Sequence, residues 1–260
     1  MIDLHCHILP GLDDGPATMD ESVAMCRVAA ADGITTIVAT PHYQPGKYVY
    51  TEEQFNGKLD ALRQRLRSED IFVRVLPGAE VGISPELLQN LSKHRFLTVN
   101  ANARYFMAEF LHDMVPPRWL EFLSPLNLSG KVPILAHPER SRWFASHGDD
   151  LARFVDYGGL VQITSGSLLG DAGSDVRDFT VTLLKRNLVH IIASDAHSAD
   201  HRPPRLATAI RRASEIVGER RAMAMVTDGP AAILEGNRVS MPAPQHAAEK
   251  KGWFSRMLTT

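Results

Sequence analysis

Seven short apolar runs rich in β-branched residues recur along this chain. They lie near Ile2–His7, Thr35–Thr40, Phe72–Ala79, Arg104–Glu109, Val132–Ala136, Leu160–Thr164 and Val189–Ala193. Between them, stretches such as Ser22–Ala31, Glu53–Leu66, Leu151–Val155 and Asp175–Lys185 carry apolar residues three and four apart. Strand followed by helix, repeated about seven times, predicts a parallel sheet covered by helices. Seven such units closing on themselves give an α/β barrel; an open doubly wound sheet is the alternative. The 260 residues, 44% of them hydrophobic, suffice for one core of this size. No Gly-x-Gly-x-x-Gly follows the first run and no phosphate-loop lysine motif occurs, which turns the reading away from nucleotide folds.

The runs end in metal-ligand residue types. The first closes on His5-Cys6-His7, the second on His42, the third on Glu80, the fourth on Glu109, the fifth on His137 and the seventh on Asp195 and His197. Only the sixth, near Thr164-Ser165-Gly166, contributes none. In a barrel the strand C-termini share one rim, so these side chains are expected to converge there. His5 and His7 are two apart and face the same side of a strand, with Cys6 on the other. The loop Asp13-Asp14-Gly15 can add one more carboxylate from either aspartate. Imidazole with carboxylate and no thiolate suits manganese, iron or zinc. A structural zinc site closes with four ligands, so this many candidates predict two or three ions with open positions. If three divalent ions sit beside four carboxylates, two positive charges remain, which match a phosphate dianion. Arg140, Arg202 and Arg205 follow the ligand motifs closely and offer forked donors for phosphate oxygens.

Other features set the surroundings. A net charge of −2 gives no footprint for nucleic acid. The two cysteines suggest no disulfide framework, and there is neither a signal-peptide pattern nor an apolar run long enough to span a membrane; a cytoplasmic protein is expected. Met241–Lys251 is rich in Pro, Ala and Lys and lacks periodicity. The expected division is a barrel over residues 1–240 and a flexible tail over 241–260. The tail ends in an apolar, basic cluster around Trp253-Phe254, read as a docked or frayed terminus or a weak surface contact.

Six segments taken together resemble the polymerase-and-histidinol-phosphatase superfamily. They are Ile2-Asp3-Leu4-His5-Cys6-His7, Asp13-Asp14-Gly15-Pro16, Thr40-Pro41-His42-Tyr43, Gly78-Ala79-Glu80-Val81, His137-Pro138-Glu139-Arg140 and Ser194-Asp195-Ala196-His197. The Asp-Asp-Gly-Pro and His-Pro-Glu-Arg segments make the chain most similar to that superfamily's bacterial protein-tyrosine phosphatases of capsule and exopolysaccharide systems, the CpsB/YwqE type. The resemblance implies a distorted seven-stranded (β/α) TIM-like barrel holding three divalent ions, manganese before iron or zinc. It implies the ligands His5, His7, Asp14, His42, Glu80, Glu109, His137, Asp195 and His197, with Glu80 bridging and Arg140 and Arg202 on the phosphate. The implied substrate and partner is a phosphorylated tyrosine autokinase with a C-terminal tyrosine cluster; oligomerisation is left open. Cys6 stands where a serine is often found, and Tyr105-Phe106-Met107-Ala108 before Glu109 matches more loosely.

Three functions compete at this point. The first is hydrolysis of phosphotyrosine on protein. The second is a small-molecule phosphomonoesterase of the same superfamily, such as a histidinol-phosphate phosphatase. The third is a metal-stabilised adaptor that binds a phosphorylated kinase without hydrolysis. A nuclease is disfavoured by the missing basic stripe. A thiol mechanism is disfavoured too: the arginine it needs six positions after the cysteine is Leu12 for Cys6 and Asp32 for Cys26.

Overall fold

The computed structural model describes residues 1–110 and 114–246. Nine parallel strands form its centre: β1 (Ile2–Cys6), β2 (Thr36–Ala39), β3 (His42–Tyr43), β4 (Arg74–Pro77), β5 (Glu80–Gly82), β6 (Tyr105–Glu109), β7 (Val132–Ala136), β8 (Leu160–Thr164) and β9 (Ile191–Ala193). They fall into two sheets, ordered β1-β2-β4 and β3-β5-β6-β7-β8-β9. β3 continues the line of β2, and β5 that of β4, so nine strands occupy seven positions. The seam closes where Cys6 bridges Ala196 in parallel, with Asp195 N–H donating to His5 O and His7 N–H to Ala196 O, both at 2.8 Å.

The breaks in positions two and three were absent from the sequence reading, and their cause is local. Pro41 has no N–H to donate and interrupts the second position between β2 and β3. Gly78 interrupts the third. A Cβ there would stand 2.6 Å from Val38 Cγ1, so only glycine permits this approach between strands. Both breaks fall just before a candidate ligand, His42 on β3 and Glu80 on β5.

The pleat sorts the core into two layers. Val38, Met107, Ile134 and Ile191 belong to an inner cluster that Ile233 and Leu234 also join. Ile37, Phe106, Leu135, Val161 and Ile192 face outward and pack with helical residues such as Val23, Phe55, Leu59 and Leu183. Alternation within an all-buried strand is what two-sided burial requires. β1 departs from it. Asp3 pairs with Ile37 but Cys6 with Ala39, one residue too many on the β1 side. The bulge lets Leu4 join the inner cluster and Cys6 the outer one.

The expected helices are present as Met19–Ala31, Glu52–Ser68, Gly148–Asp156 and Ser174–Lys185. The first two start at Thr18 and Thr51, each closing a capping box with Glu21 or Gln54. Among the described residues, no helix is long and apolar enough to cross a membrane. Near the end of the described chain, Gln245 N–H donates to Arg186 O and Asn187 Nδ2 to Ala243 O, which holds residues 243–245 against the helix that ends at Lys185. The Trp253-Phe254 cluster lies outside the described residues.

Candidate metal and phosphate site

The strand C-termini deliver His5, His7, His42, Glu80, Glu109, His137, Asp195 and His197 to one rim, where the Asp13-Asp14 loop joins them. Their donor atoms form four overlapping groups that could hold metal ions. These are His7, Asp14, His42 and His197; His5, His7 and Glu80; His5, His137 and Asp195; and His42, Glu80 and Glu109. Every ligand position expected from sequence falls in at least one group. His137 and Asp195 take left-handed backbone, at φ 32° and 52°. Such angles in non-glycine residues store strain at functional positions.

Hydrogen bonds set which ring nitrogens face inward. His5 Nδ1 lies 3.0 Å from Gln162 Oε1, His7 Nδ1 2.6 Å from Asp13 Oδ2 and His197 Nδ1 3.0 Å from the Asp195 carbonyl. With Nδ1 donating to these oxygens, each Nε2 would be left to face a metal ion, the usual arrangement behind a metal-ligating histidine. His5 Nε2 and His7 Nε2 stand 3.1 Å apart, with Glu80 Oε2 3.4 Å from both. Asp195 Oδ1 is 3.4 and 3.3 Å from the same two nitrogens. Buried Glu80 Oε2 accepts no hydrogen bond, although His42 Nδ1 is 2.9 Å away. Acceptors converge here, and only positive charge holds such a set together. The residues present thus fit divalent cations.

Without ions, protons take that role. Burial works against a charged His42, yet Glu109 and Glu80 hold its pKa up at about 10. Burial likewise opposes a charged His137, yet Glu80 raises it to about 9. For Glu80 and Asp195 burial favours the neutral acid, but the surrounding histidines, joined by Arg140 at Asp195, keep both well below the usual carboxylate range.

The aspartate pair separates by role. The Asp13 side chain is fully buried and holds His7 Nδ1, His42 N–H and Gly15 N–H. Asp14 is half exposed, with Oδ1 3.5 Å from His42 Nε2 and 3.4 Å from His197 Nε2. A Cβ on Gly15 would meet His7 O at 2.5 Å, so glycine lets this loop lie against β1.

Arg140 Nη1 and Arg202 Nη2 both reach Asp195 Oδ2, at 2.6 and 2.7 Å. Thr164 Oγ1 and Ser167 Oγ also accept from Arg140. The arginines flank the cluster with part of each guanidinium in solvent. Arg205 is exposed and its side chain touches none of these groups. Of the tyrosines in β3 and the loop after it, Tyr43 and Tyr50 pack with Phe96 in the core, while Tyr48 stacks on His42 at 5.5 Å between centroids.

Several supporting residues escaped the sequence reading: Asp3, Gln44, Gln162 and Ser194. Asp3 Oδ1 accepts from His5 N–H and Ser194 N–H across the closing seam, and burial pushes its pKa up to about 6. Gln44 Nε2 donates to Glu109 Oε2 at 2.7 Å. Gln162 carried a usable signal, being the one polar side chain within the apolar Leu160–Ile163 run.

A parallel ring with histidines and carboxylates gathered at its strand C-termini defines the class of α/β-barrel proteins with a candidate multinuclear metal centre. Within it, the chain belongs to the capsular polysaccharide synthesis CpsB/CapC family, whose model matches residues 1–235. It is 37% identical to the tyrosine-protein phosphatase YwqE of Bacillus subtilis, over 98% of this chain and 100% of that one. It is 30% identical to the putative tyrosine-protein phosphatase CapC of Staphylococcus aureus, over 98% and 99%. A crystal structure described with YwqE from Bacillus subtilis and CpsB from Streptococcus pneumoniae, as unique metal-dependent tyrosine phosphatases, superposes with a TM-score of 0.90. It is 37% identical and covers 95% of this chain and 100% of that one. Histidinol phosphate phosphatase from Lactococcus lactis, solved with zinc, L-histidinol and phosphate, superposes with a TM-score of 0.56 at 16% identity, over 85% and 93%. At that identity the likeness concerns the fold alone.

Proposed function

We propose that this protein is a metal-dependent protein-tyrosine phosphatase that dephosphorylates a tyrosine autokinase governing capsular or exopolysaccharide synthesis, in the cytoplasm. The observation that carries the reading is the convergence of imidazoles and carboxylates around Glu80, whose buried Oε2 accepts no hydrogen bond, beside two arginines, in a chain 37% identical to a tyrosine phosphatase along nearly its whole length. In this reading three ions, manganese before iron or zinc, are held by His5, His7, Asp14, His42, Glu80, Glu109, His137, Asp195 and His197. When bound, they supply Lewis-acid charge and lower the pKa of a water to about 7.

The chain's own groups do the rest. Glu80, with both oxygens among histidines, would serve as a ligand shared between ion positions. Arg140 and Arg202 turn part of their forks from Asp195 to the phosphoryl oxygens and neutralise charge on the equatorial positions. Thr164 and Ser167 keep Arg140 aimed as they do so. The departing phenolate has a pKa near 10 and needs no strong acid to leave. Cys6 takes no part: burial pushes its thiol well above the usual range, and a thiolate is what nucleophilic attack requires.

Phosphate release from a tyrosine-cluster phosphopeptide, with Mn²⁺ and then with EDTA, tests the reading. Release should stop with chelator, fall more than about a hundredfold in His137→Ala, and survive in Cys6→Ser. Turnover of histidinol phosphate with the phosphopeptide untouched would move the protein to the small-molecule phosphatases. Tight phosphopeptide binding without release would make it an adaptor.

A further inference from the structure

A cavity of about 320 Å³ opens beside the cluster, between Glu109 and Phe110 on one side and His137, Pro138, Arg140 and Ser141 on the other. It lies at the lower end of the roughly 300–1,000 Å³ range of small-molecule sites, which leaves room for one aromatic ring. One end is polar and belongs to the phosphate site, through Glu109, His137 and Arg140. The rest is apolar. Phe110 lies partly in solvent, with Phe144 behind it at 5.8 Å between centroids and Trp119 edge-on at 5.5 Å. These contacts hold its ring, and Pro138 lines the same cavity.

Ser141 carries a second, independent observation. It opens the short helix Arg142–Ser146, a place where a serine hydroxyl ordinarily caps a backbone N–H. Here the hydroxyl caps nothing. It is buried and has no hydrogen-bond partner, in a residue that lines the cavity. A buried hydroxyl without a partner is costly unless something enters to meet it.

We propose that this slot receives the aromatic ring of the phosphoester. Phe110 and Pro138 clasp the ring faces, and Ser141 donates to a polar atom of the residue that bears it. The inference rests on the phosphatase reading and adds to it the residues that select an aryl over an alkyl ester. The metal and arginine groups bind any phosphate alike, so discrimination has to come from the slot.

The test is calorimetric titration of the manganese-loaded protein with methylphosphonate and phenylphosphonate, which differ by the ring and need no turnover. Phenylphosphonate should bind about tenfold tighter or more, from burial of one ring and its aromatic contacts. Phe110→Ala should abolish that preference and leave methylphosphonate binding unchanged, which also shows that the variant is folded and loaded. Ser141→Ala should leave both phosphonates unchanged and raise KM for a phosphotyrosine peptide, with kcat held. Equal binding of the two phosphonates by the unaltered protein would overturn the slot. So would parallel weakening of both in Phe110→Ala. Binding of neither would instead sink the phosphatase reading, and the slot with it.

Discussion

At the scale of single residues, the site depends on groups that touch no ion as much as on those that would. Asp13 and Asp14 are neighbours of one type. The first is buried against His7 Nδ1, and the second stands half exposed between His42 and His197. Asp13→Asn should therefore raise the manganese concentration needed for half-maximal activity by about 10–100-fold, with near-normal turnover once metal saturates. Asp14→Ala should lower turnover even at saturation; metal-activation curves for the two variants separate the roles. Sequence spacing points eight candidate ligands to one rim but leaves the choice between the aspartates open, because a turn-forming Asp-Asp-Gly reads alike in either register; Asp14 is named only by the family resemblance. Asp3 and Gln44 were illegible for another reason. Their partners lie across the ring, Ser194 being 191 residues away and Glu109 65, and no local pattern announces such a pair.

At the scale of elements, all seven expected strand runs end within two residues of an observed strand, since parallel strands buried on both faces write themselves as unbroken apolar runs. The breaks that create β3 and β5 were not legible, because Pro41 and Gly78 act through the neighbouring strand rather than through their own propensity. Gly78→Ala should cost about 1–3 kcal/mol, as its methyl group meets Val38 with little space to move. Urea unfolding measures the loss, and Val38→Ala in the same chain should restore part of it. Between β8 and β9, His190 makes stability depend on pH. Burial lowers its pKa to about 4, and its Nδ1 accepts from Val161 N–H. In the unfolded chain the imidazole titrates near 6.5. The folded pKa is the lower one, so the stabilising contribution is complete above about 6.5, declines as pH falls, and is gone below about 4. The loss is on the order of 3 kcal/mol. His190→Asn keeps an acceptor for Val161 without the titration. Denaturation midpoints measured from pH 7 to pH 4 should fall less in this variant than in the parent chain.

At the scale of the whole molecule, the rim gathers carboxylates that need positive charge, so metal and fold support one another. Ions at a hundred times their dissociation constant would contribute about 2.7 kcal/mol. For a domain of this size that corresponds to roughly 5–10 °C in melting temperature. EDTA should lower the calorimetric midpoint by that much and added Mn²⁺ should restore it; an unchanged midpoint would mean the cluster binds no ion tightly. One feature of the ring reaches beyond the finished protein. Asp195 joins the last strand to the first through its backbone, aims one carboxylate oxygen at the opening histidines and ties both arginines with the other. On the ribosome, His5 and His7 are among the first residues made and Asp195 among the last of the barrel. A chain that stops short of that aspartate has the two histidines but neither this carboxylate nor the anchor of the arginines. The site is therefore complete only once synthesis has passed that aspartate.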